Sequence, residues 1–221
     1  MGSSGVRTLV QLLADAWLIG HETLAGAASY APGMSQRLQA TDLDVAQFEE
    51  CRRLLALLAL LGDKRTVPPQ RDLIMVALDA FREHTRPDSW PQAALWVTLT
   101  AGVMGDFALQ MTGRIPNTLH QTLFSGSPAW RLQDFGAREV QAALQAEHGV
   151  QDTLALYGRR MSAEAVSQAE RILGENPALT GTLAGTGQDA DEPAELASAS
   201  TLLESLVTGN ARRMAEFGLV S

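Results

Sequence analysis

Val6-Arg-Thr-Leu-Val-Gln-Leu-Leu-Ala-Asp-Ala-Trp-Leu-Ile-Gly-His-Glu-Thr-Leu24 decides the fold class. Leu9, Leu12, Leu13, Ala16, Ile19 and Leu24 recur at steps of three and four, which is the spacing of one helical face and not of a strand. The pattern predicts a helix over Val6–Ser29, ended by Tyr30-Ala-Pro-Gly33. Working outward, Thr41-Asp-Leu-Asp44 resembles a capping box and predicts a second helix from Thr41 to Gly62. Its end, Leu54-Leu-Ala-Leu-Leu-Ala-Leu-Leu61, is apolar on nearly all sides, so neighbours are expected to enclose it. A loop with two prolines follows over Asp63–Gln70, then a third helix over Gln70–His84. Ser89 can cap a fourth helix with Pro91 in its first turn, running to Thr112. That helix contains Gly102 and Gly105, whose usual compensation is close approach of another helix. Pro116–Ser127 holds at most a short helical piece. Ser127-Pro128 opens a fifth helix to His148, a sixth runs from Val150 to Gly174, and a last one runs from Pro193 to Phe217-Gly218. Residues 180–192, rich in Gly, Thr, Asp and Ala without a period, read as a mobile surface loop. Seven amphipathic helices, no strand and no repeat describe one all-α antiparallel bundle over residues 1–221.

Composition agrees, with 33 Ala and 32 Leu against 12 Val and 4 Ile. The single Cys51 excludes an internal disulfide and a Cys-based zinc site. The longest apolar run has eight residues, far short of the ~20 that span a bilayer, so no membrane partner is expected. Residues before Val6 lack a basic segment and Asp15 interrupts the apolar stretch after them, so a cytoplasmic location is expected. A net charge of −8 with one Lys, Lys64, argues against general nucleic-acid binding, and tRNA is not a favoured partner.

A bundle of this size can hold a carboxylate-bridged metal pair if two helices each supply Glu-x-x-His. None does. The residues three before His21, His84, His120 and His148 are Leu18, Phe81, Asn117 and Gln145. No nucleophile elbow, phosphate-binding loop or His-Glu-x-x-His is present. Arg160, Glu164 and Gln168 share a helix face and are read as a structural polar network, with a substrate clamp as the alternative. Gln47, Glu50 and Asp134 read as surface residues, Trp17 and Trp96 as core, and Cys51 as a small buried side chain. The pairs Arg52-Arg53, Arg159-Arg160 and Arg212-Arg213 read as salt-bridge partners.

Leu156-Tyr-Gly-Arg-Arg-Met-Ser-Ala-Glu-Ala-Val-Ser-Gln-Ala-Glu-Arg171 resembles a run found in actinobacterial ferritin-like proteins related to the tRNA hydroxylase of isopentenyl-type hypermodified adenosine. Phe81-Arg-Glu-His-Thr-Arg-Pro-Asp-Ser-Trp90, Gly105-Asp-Phe107 and Ala211-Arg-Arg-Met-Ala-Glu-Phe-Gly-Leu219 resemble other segments of that family in the same order. The resemblance implies a ferritin-like bundle with extra helices, and in the family a di-iron hydroxylation. It lays the family's metal positions on Trp17, on Gln47-Phe-Glu-Glu50, near Ala101 and on Asp134-Phe-Gly-Ala137. Trp and Ala cannot ligate iron, and iron sites need charged carboxylates. These are therefore vestigial metal positions, and Trp17 would supply bulk that fills an apolar centre. The expectation is a metal-free, cofactor-free, non-catalytic interaction or scaffold module, a pseudo-enzyme paired with itself as a homodimer or with a ferritin-like relative. A tRNA hydroxylase-like di-iron monooxygenase with an atypical site is one alternative. Binding of an apolar ligand within the bundle is the other.

Overall fold

The computed structural model describes residues 3–61, 73–146, 148–185 and 192–219. Nine α-helices, and no strand, are found among them: α1 (Ser3–Ala27), α2 (Met34–Leu60), α3 (Leu73–His84), α4 (Trp90–Gln110), α5 (Asn117–Phe124), α6 (Ala129–Ala146), α7 (Val150–Glu175), α8 (Pro177–Ala184) and α9 (Glu192–Glu216). A 3₁₀ turn, Ala28–Tyr30, joins α1 to α2.

Two long helix pairs form the frame. α1 lies along α2, and α4 lies along α6. α1 passes into α2 through the short stretch 28–33, so these two run antiparallel, whereas residues 111–128, with α5 among them, lead from α4 to α6. α3 packs on α7, α8 on the side of α1, and α9 across α4, α7 and α8. The α4/α6 contact is close because Gly136 has no side chain: a Cβ there would stand 2.4 Å from Thr98 Oγ1 and 2.6 Å from the Ala94 carbonyl oxygen. Across the same pair the Trp90 indole N–H donates to Glu139 Oε2 at 2.8 Å. Thr85, fully buried after α3, joins three helices. Its hydroxyl donates to the Phe81 carbonyl at 2.7 Å and accepts the Trp96 indole N–H at 3.1 Å, while its carbonyl accepts the Tyr157 hydroxyl at 2.5 Å. Burial holds that phenol far above its ordinary pKa.

Among the described residues α4 is the one helix long and apolar enough to cross a membrane, and most of it is buried against its neighbours. It is the central helix of the bundle, enclosed by α1, α6, α7 and α9.

Four expectations are corrected. α2 starts at Met34, seven residues before Thr41, with Gly33 as its extended N-cap. Thr41 is interior, and its hydroxyl donates to the Arg37 carbonyl at 2.9 Å, a bond inside the helix and not a cap. The Leu54–Leu61 run is not enclosed: Leu54 and Leu58 are buried but Leu60 is 85% exposed, because α2 packs chiefly on α1 alone. Residues 180–184 of the expected 180–192 loop form the end of α8, where Thr180, Thr182 and Leu183 are buried, and residue 192 opens α9. Residues 186–191 lie outside the described residues, as do Lys64 and the whole of the expected 63–70 loop. Finally, Gly102 meets a neighbouring helix as expected, but a Cβ on Gly105 would meet nothing within 4 Å.

Candidate functional site

The bundle is not filled at its centre. A cavity of about 240 Å³ lies between the helices, with walls contributed by α1, α2, α3, α4, α6, α7, α8 and α9. Trp17 does not fill it; the buried indole forms part of the wall with Trp96, Phe81 and Phe107. Leu202, Leu203 and Leu206 of α9 close another side. Among the described residues the lining holds no Asp, Glu, Lys, Arg or His. Its polar side chains are Gln47, Thr100, Gln168 and Asn210.

Two of these four have no unmatched buried atom. The Thr100 hydroxyl donates to the Trp96 carbonyl at 2.8 Å, and Asn210 Oδ1 accepts from Arg213 at 3.2 Å. The other two each keep an unmatched atom: Gln47 Nε2 and Gln168 Oε1 are buried and have no hydrogen-bond partner on the protein. A buried amide end without a partner is costly, so each is an observation that asks for an explanation. Gln47 and Glu50, expected at the surface, are buried. The sequence held the signal, because both sit on the stripe Ala40, Leu43, Gln47, Cys51, Leu54, Leu58 that faces α1. Gly20 makes room for Gln47: a Cβ at that position would stand 2.2 Å from Gln47 Oε1.

Gln168 belongs to the network read from sequence, and the structure resolves its members differently. Gln168 Nε2 donates to Glu164 Oε1 at 2.8 Å, and the same oxygen meets His84 Nδ1 at 2.9 Å. Burial pushes the Glu164 carboxyl up, but the hydrogen bonds from His84 and Gln168 and the His84 charge outweigh it and hold the group below the usual 4.5. Arg160 is apart from them. It is exposed, and its guanidinium lies 5.2 Å from the Tyr157 ring centroid, a cation–π contact.

The vestigial metal positions divide. Trp17, Gln47 and Ala101, from α1, α2 and α4, all line the cavity. Glu50 is turned to Arg53, which donates from Nε and Nη2 at 2.7 Å each and also reaches the Thr122 and Leu123 carbonyls at the end of α5. The Glu50 hydrogen bonds raise the Arg53 pKa despite partial burial. Asp134 is 60% exposed and paired with Arg138 at 3.0 Å, and Ala137 does not reach the cavity. Among the described residues no three His, Cys, Asp or Glu side chains stand close enough to hold a metal ion. A di-iron centre needs several carboxylates around one space, and the residues around this space do not fit it.

The helix pairs and the cavity between them define a ferritin-like architecture. A family profile described as a ferritin-like domain of actinomycetes matches residues 3–186, and the chain belongs to that family. The match takes in α1 to α8 and stops short of α9, which supplies one cavity wall. No curated protein matches the chain.

Proposed function

We propose that this protein binds a small apolar molecule at the centre of its ferritin-like bundle, with no metal and no reaction. One observation carries the reading: three positions that the family resemblance assigns to metal line an uncharged cavity of about 240 Å³. An apolar cavity of about 150 Å³ is already large enough to take up benzene, so this one can accept a bicyclic ring or a short hydrocarbon chain.

Naphthalene is a suitable probe, and Trp17 and Trp96 in the wall report its arrival by fluorescence. Saturable one-site quenching is expected, lost in Ala101→Phe, whose ring would occupy the space. No saturable binding would refute the reading. Stoichiometric iron in protein grown on iron-supplemented medium would refute its metal-free part.

A second reading rests on α2. Met34, Leu38, Val45 and Phe48 are exposed on one helix face, spaced by four, seven and three residues. Association of two copies through this face predicts a dimer in sedimentation velocity that Leu38→Glu with Val45→Glu converts to monomer.

A further inference from the structure

We infer that the cavity is a channel along α4 and α7 and that its ligand is a straight hydrocarbon chain of about nine carbons, not a compact ring. The inference rests on the ligand-binding reading and narrows it to a shape and a chemical class.

The lining sets the shape. On α4 it runs from Trp96 through Thr100 and Met104 to Phe107, and on α7 from Met161 through Ala165 and Ala169 to Leu173. Steps of three and four keep each set on one helix face, over about three turns and about 16–18 Å. A round hole of about 240 Å³ would be only about 8 Å across and would meet about two turns of a helix.

The two helices run the same way along this length. At one end the Trp96 indole N–H and the Tyr157 hydroxyl both donate to Thr85. At the other end α7 passes through Asn176 into α8, and Arg114, just beyond α4, donates to the Leu183 carbonyl of α8 at 2.6 Å. Phe81, whose carbonyl holds the Thr85 hydroxyl, and Leu183 are both in the lining, so one space reaches from the first tie to the second.

Volume sets the width. A methylene needs slightly less room than the ~30 Å³ of a liquid water, so about 240 Å³ holds about nine of them. Spread along three helical turns, that volume is one chain wide. A straight chain then touches the walls from end to end, whereas a bicyclic ring covers part of the length and leaves the rest empty. The walls carry no ionisable side chain among the described residues, so the enclosed part of the ligand is hydrocarbon as well.

The test uses the whole chain, the n-alkanes from pentane to dodecane, and naphthalene beside them. Each is supplied as vapour and its uptake is read by headspace gas chromatography. Affinity is expected to rise about fourfold with each added carbon up to about nine, and to fall by dodecane. Ala169→Leu brings three more carbons into the wall, on the α8 side of the middle, and is expected to shorten the best chain to about six carbons. A rise that continues through dodecane overturns the closed channel. A rise that ends at about six carbons in the unmodified protein overturns the chain-shaped space in favour of a round one. An Ala169→Leu protein that weakens every alkane alike overturns the lengthwise arrangement. Uptake of naphthalene without uptake of any alkane overturns the chain and leaves the apolar-ligand reading standing. Uptake of neither removes that reading itself. All but the variant's outcome are decided on the unmodified protein, whether or not Ala169→Leu folds.

Discussion

Gly102 and Gly105 lie one turn apart in α4, and only one of them is needed as glycine. A Cβ on Gly102 would stand 2.2 Å from Arg213 Nε, whose guanidinium donates to the Gly102 carbonyl at 2.9 Å and pairs with Asp106 at 2.6 Å. Gly102→Ala is therefore expected to cost about 3 kcal/mol or more, since it displaces a buried cation from its partners. Gly105→Ala meets open space inside a helix and is expected to stabilise by about 0.5–1 kcal/mol. Urea midpoints of the two variants check the contrast. Helix period alone could not separate these glycines, because what distinguishes them is a side chain more than a hundred residues away. A second prediction concerns Glu164. Its folded carboxyl titrates below the usual 4.5, so its contribution is present above that value and is lost as pH falls through the lower folded one. The stability gap between the native chain and Glu164→Gln is accordingly expected to be larger at pH 6 than at pH 3. A gap independent of pH would show that the carboxylate charge is not what His84 and Gln168 recognise.

At the scale of elements, the α4/α6 pair depends on one missing side chain. Gly136→Ala would press a methyl against the Ala94 carbonyl, which is backbone and cannot rotate away. A loss of about 2–3 kcal/mol is expected, with faster amide exchange in α4 and α6 than in α1 and α2. Most helices were legible as periodic apolar faces, and their boundaries were less so. Thr41 looks like a cap because a threonine hydroxyl can satisfy backbone groups either at a helix start or one turn back, and here it does the latter. Residues 180–184 of α8 read as loop from sequence because Pro177–Ala184 is too short to show a period. What makes it helical is tertiary: Leu179 and Leu183 are buried against neighbouring helices.

For the molecule as a whole, the space at the centre is the feature that sequence hid. Each helix face reads as apolar whether its neighbours touch it or stand apart, and the divergence that opens about 240 Å³ is a property of eight helices together. The reading of Trp17 as a plug followed from its volume alone, and its place in a wall could be known only from the packing around it. Ala101→Leu is expected to fill part of this space, raise Tm by about 2–4 °C and weaken naphthalene uptake. A variant that gains stability yet binds naphthalene unchanged would show that the probe resides elsewhere. The wall formed by α9 carries a consequence for exchange. Leu202, Leu203 and Leu206 enclose the space from a helix whose buried tie to α4 is Arg213 on Asp106 and on the Gly102 carbonyl. Loosening that guanidinium, as in Arg213→Met, is expected to loosen the wall itself and so to speed the release of any guest the space holds, read as a faster dissociation rate of naphthalene.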